Sequence, residues 1–175
     1  GREAEDIGAI NCKVYTEETD KENVKEGTDE PSYILSGTNV GRFRVPCAIA
    51  DQLKPHQMTA LQKILQTVGL DEKGFLLAHS MGLGKTLTSI SAIESFTLCE
   101  PKLRVVVTAP LTVVPNWFKE IQTWNSTLQS TGYSFKFVCY PPIMNHHKQQ
   151  STIDLWKQEG GLLLLGHDCF RILMS

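Results

Sequence analysis

Lys85 and Thr86 follow two closely spaced glycines in the stretch Ala78-His79-Ser80-Met81-Gly82-Leu83-Gly84-Lys85-Thr86. These residue types at this spacing suit one task, which is holding a chain of phosphates. Gly82 and Gly84 let the backbone curl so that successive N–H groups point inward at anionic oxygens. The ammonium of Lys85 reaches the outer phosphates as a point charge. The hydroxyl of Thr86 suits a Mg²⁺ ion that bridges the same phosphates. The stretch fits the pattern G-x-x-x-x-G-K-[ST] with one departure: its first position is His79. The candidate nucleotide-binding residues are therefore Met81, Gly82, Leu83, Gly84, Lys85 and Thr86, with Lys85 as the candidate catalytic group and Thr86 as the metal residue. His79 has two readings. It either contacts phosphate or a neighbouring element, or it is a packed loop residue.

Such a loop works between a strand and a helix, because the helix N-terminus adds partial positive charge behind the phosphates. The sequence offers both. Phe75-Leu76-Leu77-Ala78 is a short apolar run of the kind that forms a strand buried on both faces. Leu87, Ile90, Ile93 and Phe96 then repeat every three residues, which predicts a helix with one buried stripe. Before the loop, Pro55 marks a helix start, Met58, Leu61, Leu65 and Val68 follow at helical spacing, and Gly69 supplies a stop. After it, Leu103–Val107 and Leu162–Leu165 read as buried strands and Phe135–Tyr140 as a further strand ended by Pro141-Pro142. Val114, Trp117, Ile121 and Trp124 mark a helix, with Pro115 in its first turn. Residues 147–158 read as a polar helix and 168–174 as the start of another. Strands alternating with helices predict an α/β fold, a mostly parallel sheet with helices on both faces.

Charge divides the chain. Residues 1–45 hold ten acids and six bases, while 46–175 hold nine acids and eleven bases. We therefore expect an acidic, largely disordered segment at 1–45 and a folded domain at 46–175. Within the first, 15–32 lacks any apolar period and predicts a solvated, mobile stretch, and residues 40–45 allow a short edge strand closed by Pro46. The net charge of -2 gives no overall basic field, though a local groove can be basic on a neutral protein. Cys12, Cys47, Cys99, Cys139 and Cys169 stand thirty or more residues apart, which argues for buried thiols rather than a zinc site or a disulfide framework. No apolar run approaches the roughly 18 residues of a membrane span, so no membrane partner is expected. The opening residues lack the apolar core of a signal peptide. With no initial Met and an abrupt close at Leu173-Met174-Ser175, the chain reads as a piece of something longer.

Three further segments narrow the reading. Leu53-Lys54-Pro55-His56-Gln57 precedes the loop. Val107-Thr108-Ala109-Pro110-Leu111-Thr112-Val113-Val114-Pro115-Asn116-Trp117 follows it. Leu164-Leu165-Gly166-His167-Asp168 comes last. In this order they resemble the first lobe of Swi/Snf-type chromatin-remodelling ATPases, which are superfamily-two helicase-like translocases. His79-Ser80, in place of the acidic pair usual in that family, together with Leu-Lys-Pro-His-Gln, resembles the ATRX-like branch. The resemblance covers about residues 46–175. It implies a RecA-like P-loop NTPase lobe, truncated here, and ATP with Mg²⁺ as cofactors. It implies double-stranded DNA and chromatin proteins as partners, along with the remainder of lobe 1 and a second lobe of the same protein, and a nuclear location. It assigns adenine recognition to Gln57, whose other reading is a solvent-facing helix residue. It assigns a DNA-facing role to Thr108, Ala109, Pro110, Gly166 and His167, which otherwise read as ordinary strand-to-helix connections. Trp117 and Trp124 are expected in the core rather than as base-stacking platforms.

The same family carries an acidic Asp-Glu-x-His box that holds Mg²⁺ and activates water, and a second-lobe arginine. The chain contains no such box: Asp71-Glu72 precede the loop, and Asp154 and Glu159 stand alone. Since phosphoryl transfer rests on positioning and electrostatics, the expected activity is nucleotide binding without efficient hydrolysis. The alternative from another class is a stand-alone, non-hydrolysing nucleotide-binding regulatory module. A nucleotide kinase or GTPase would need guanine or acceptor motifs, and none is visible.

Overall fold

Four consecutive leucines, Leu162 to Leu165, are all buried, and their alternation organises the fold. They lie in β4 (Gly161–Gly166), which pairs in parallel with β3 (Arg104–Ala109) in the register Val105↔Leu162 to Ala109↔Gly166. Leu162 and Leu164 pack with Ile90 and Ile93 of α3 (Lys85–Cys99) and with Val114 and Ile121 of α4 (Val114–Gln129). Leu163 and Leu165 pack with Ile153 of α5 (Gln150–Glu159) and Cys169 of α6 (His167–Leu173). Helices therefore cover both faces of the parallel pair, so β4 is apolar throughout instead of alternating with polar residues. The structure, a computed structural model, describes residues 32–34, 42–143 and 150–173.

A second core joins the chain before the loop to the chain after it. β1 (Ser32–Ile34) pairs antiparallel with β2 (Arg44–Pro46), which runs into α1 (Cys47–Ala50). Phe43, Val45 and Ile49 pack with Leu61 and Leu65 of α2 (Pro55–Gly69), Ala92 of α3, Leu128 and Tyr133. The Phe43 and Phe96 rings meet edge to face at 5.2 Å, and the Arg42 guanidinium donates to the Gly69 carbonyl at the end of α2. The packed region thus reaches back to Phe43, ahead of the expected boundary at 46. The expected mobile stretch lies outside the described residues except for Ser32, which opens β1, and so do residues 147–149 of the expected polar helix.

Two expected strands do not form. Residues 72–80, which include Phe75–Ala78, have no regular secondary structure, and Phe75 and Leu76 are 37% and 85% exposed. An apolar run becomes a buried strand only where a neighbour completes its hydrogen-bond ladder, and among the described strands β3 and β4 pair with each other. Residues 135–140 fail for a different reason. The Phe135 N–H donates to the Asn125 side chain at 3.0 Å, and the Lys136 N–H donates to the Glu94 carboxylate at 2.9 Å. Those donors are engaged by side chains and are lost to a ladder. Pairing with β4 begins only at Val138, whose carbonyl accepts from Leu162 N–H at 2.7 Å, and resumes at Ile143 beyond the two donorless prolines. The parallel sheet is therefore a two-stranded core with a ragged third edge.

Burial also fixes the chemistry of one thiol. The half-buried Cys139 is pushed up to about 12 by burial, so almost none of it is thiolate at neutral pH. Iodoacetamide treatment of the native chain, read by peptide mass analysis, should leave Cys139 unmodified while the same reagent saturates it in urea. Equal labelling in both states would show that the site is open.

Candidate functional site

The loop Ser80–Gly84 turns tightly into α3. Gly82 and Gly84 both adopt left-handed backbone conformations, with φ of 80° and 74°, and Gly84 is the N-cap of α3. The first bond of the helix runs from Thr88 N–H to the Gly84 carbonyl at 3.1 Å. The N–H groups of Lys85, Thr86 and Leu87 therefore precede the helical ladder and have no carbonyl within it to bond. This is the donor arrangement that favours an anion. The Lys85 ammonium folds back over the loop, donating to the carbonyl of His79 at 2.8 Å and of Ser80 at 3.0 Å. The ammonium thus already sits at the loop, held by two neutral acceptors. Met81 is 94% exposed and Leu83 is exposed, so both side chains face outward while their backbone forms the turn. Thr86 is half-buried at the second position of α3.

Gln57 is not a solvent-facing helix residue, since it is 4% exposed. It occupies the third position of α2, where its Oε1 accepts from the Lys54 N–H at 2.9 Å and satisfies an otherwise orphaned donor at the helix start. Its Nε2 donates to the Gly84 carbonyl at 3.2 Å. A Cβ placed on Gly84 would lie 2.2 Å from that same Nε2. Gly84 is therefore required twice over, by its backbone conformation and by the approach of Gln57. His79 packs rather than projecting alone: its ring meets that of His56 at 5.5 Å with 67° between the planes. Its Nδ1 is buried without a hydrogen-bond partner among the described residues.

The second group of expected site residues assembles at the C-terminal ends of the parallel strands. Ala109 and Gly166 are register partners, so the segments 108–110 and 166–167 are brought side by side. They border a cleft of about 480 Å³ lined by Pro110, Leu111, Gly166, His167, Asp168, Cys169 and Ile172. Ala109 and Gly166 are buried, while Thr108, Pro110 and His167 are exposed. The rim carries an Asp168–Arg171 ion pair at 3.3 Å, exposed on both sides, so the cleft's charge is balanced rather than basic. Trp117 and Trp124 are half-buried against the core of α3, α4 and β4, in line with a packing role.

Two residues without an assigned role emerge from the structure. His56 Nε2 lies 3.2 Å from the Leu83 carbonyl. Glu94, on the buried face of α3, is fully enclosed and accepts from the Tyr133 hydroxyl and from Lys136 N–H. Burial pushes the Glu94 carboxyl above its ordinary range, opposed by these hydrogen bonds. His56 had a sequence signal in its place beside Gln57. Glu94 had one in being the lone carboxylate in an otherwise uncharged run, Leu87 to Cys99.

The glycine loop at the start of α3 and the first turn of α2 that braces it both fall within a stretch that matches a known family. The chain belongs to that family: the family model described as the SNF2-related domain matches residues 56–154. Its relatives lie on the ATRX-like side of the Swi/Snf-type remodelling ATPases. It is 27% identical to the transcriptional regulator ATRX of Mus musculus over 98% of this chain and 7% of the relative. It is 30% identical to the protein CHROMATIN REMODELING 20 of Arabidopsis thaliana, over 74% of this chain and 9% of that protein. It is also 30% identical to the helicase ARIP4 of Mus musculus, over 71% and 10% respectively. The chain thus spans about a tenth or less of the length of these relatives. Among the described residues no helix is long and apolar enough to cross a membrane.

Proposed function

We propose that the chain is the ATP-binding part of a DNA-dependent ATPase and double-stranded DNA translocase that acts in chromatin remodelling in the nucleus. The observation that carries this reading is the loop itself, with two left-handed glycines at the start of α3 and the Lys85 ammonium folded over it. The fold is read as part of a RecA-like P-loop lobe whose packed region begins at Phe43, ahead of the expected boundary at 46. The residues fit a nucleotide with Mg²⁺. Backbone N–H groups from Gly82 to Thr86 would hold phosphate oxygens, and Lys85 would exchange its two carbonyl partners for a phosphate, a stronger charged acceptor. Thr86 would supply an oxygen ligand to Mg²⁺, and the ion would neutralise charge on the phosphates. Adenine recognition by Gln57, as the resemblance implies, would require its buried amide to give up Lys54 N–H or Gly84 O, the two bonds that hold it at the start of α2. Thr108, Pro110 and His167, exposed beside the buried Ala109 and Gly166, would lie along a DNA backbone, with chromatin proteins and the rest of both lobes as further partners. The names of the relatives, a transcriptional regulator, a chromatin-remodelling protein and a helicase, support this assignment.

Titration of a fluorescent ATP analogue into the chain in Mg²⁺ should show weak binding that Lys85→Ala removes. Equal affinity in the two proteins would refute the nucleotide reading. Phosphate release should stay at background with or without duplex DNA, because the chain has no water-activating carboxylate box. Release that rises with DNA and disappears in Lys85→Ala would mean that the chain completes its own site.

A further inference from the structure

The first turn of α2 meets the phosphate loop at two consecutive carbonyls. Gln57 Nε2 donates to Gly84 O at 3.2 Å, and His56 Nε2 lies at 3.2 Å from Leu83 O. A carbonyl only accepts, so the His56 contact is a hydrogen bond when Nε2 carries the proton, which fixes the ring's tautomer. In a trans peptide the C=O of one residue and the N–H of the next point in opposite directions. Holding Leu83 O toward α2 therefore turns the Gly84 N–H away from α2, and holding Gly84 O does the same for Lys85 N–H. Those are two of the donors that a phosphate would meet at this helix start.

We propose that His56 is a positioning residue of the phosphate loop: its Nε2–H holds the Leu83 carbonyl outward and so aims the Gly84 N–H at the phosphates. The proposal rests on the nucleotide reading of the loop. His79 is the second part of the device. Its ring lies edge to face against His56 at 5.5 Å, which limits the swing of the His56 imidazole. This gives the His79 position a role in supporting α2's grip on the loop, with no need for it to touch the nucleotide. Without His56 the 83–84 peptide has no side-chain tether among the described residues. Gly84, with φ of 74° and no Cβ, is well able to reorient.

The test uses the full 175-residue chain and three variants. His56→Phe keeps a ring against His79 and loses the donor, His56→Gln keeps a donor, and Lys85→Ala reports on the nucleotide reading. With a fluorescent ATP analogue, His56→Phe should raise Kd about fivefold, the equivalent of one modest hydrogen bond, and His56→Gln should recover most of the loss. If Lys85→Ala abolishes binding while His56→Phe binds like the wild type, the positioning role is wrong and the nucleotide reading stands. A nucleotide-free measurement stands apart from both. In ¹⁵N spectra of the wild type, His56 should show the Nε2-protonated tautomer, and in His56→Phe the Gly84 amide should shift more than that of Gly82. A neutral His56 with its proton on Nδ1 and Nε2 bare in the wild type would overturn the proposal even if the phenylalanine variant failed to fold.

Discussion

Gly84→Ala is expected to lower nucleotide affinity tenfold or more and to destabilise the chain well beyond Gly82→Ala. The two glycines have nearly the same backbone, φ 74° and 80°, so each alanine incurs a similar left-handed penalty of about 1–2 kcal/mol. They differ in surroundings. A Cβ at Gly82 meets nothing within 4 Å, whereas at Gly84 it lands 2.2 Å from Gln57 Nε2. Gln57 is buried between Lys54 N–H and Gly84 O, with no room to retreat without breaking one of the two bonds. The additional cost at Gly84 is a broken buried hydrogen bond and a displaced amide, about 1–2 kcal/mol more. Urea unfolding separates the two variants in stability, and analogue titration separates them in binding. Equal losses at both positions would show that strain alone matters and that the α2 brace contributes nothing.

Glu94→Ala should destabilise the chain by about 3 kcal/mol, because it removes an acceptor shared by the Tyr133 hydroxyl and the Lys136 amide and leaves a cavity. An opposing effect exists, since a buried carboxylate carries its own desolvation cost. Deleting one partner still loses overall, because the buried Tyr133 hydroxyl and the part-buried Lys136 amide both lose that acceptor. Glu94→Gln keeps volume and an acceptor and should cost less. The pH dependence follows from the raised carboxyl. With a folded pKa above the ordinary 4.5, the native state holds the proton to higher pH than the unfolded chain does. The contribution of Glu94 is therefore largest below 4.5, falls as pH rises through the folded value and is constant above it. The stability of the wild type relative to Glu94→Gln should decline across that window. A difference that grew with pH would mean that the hydrogen bonds outweigh burial and that the carboxyl is depressed.

Much of the site was readable from residue types. The glycine spacing, Lys85-Thr86 and the helix behind them are local features, and the left-handed glycines and the α3 start appear where that spacing required. The amphipathic repeats of α2 and α4 were equally local, whereas α3, expected to bury one stripe, is buried around most of its circumference, with Ile90 to Ser95 enclosed without a break. What misled was apolar runs read as strands. Phe75–Ala78 has the composition of a buried strand, but a strand also needs a partner, and none of the described strands runs beside it. Phe135–Tyr140 has strand-like residues, yet Asn125 and Glu94, ten and more than forty positions away, take the donors its ladder needed.

By itself, then, the sequence determined where phosphate could be held, because a glycine loop, a lysine and a helix start are adjacent in the chain and governed by short-range sterics. It also carried the SNF2-related likeness, through motifs in a set order. Only the tertiary structure decided what holds the loop in shape. Gln57 and His56 reach carbonyls 27 positions away, Ala109 and Gly166 become neighbours across two strands, and Glu94 is enclosed by a segment about 40 residues downstream. Such contacts depend on how helices close over a sheet, and burial makes each one strong while leaving little trace in the linear pattern of residues.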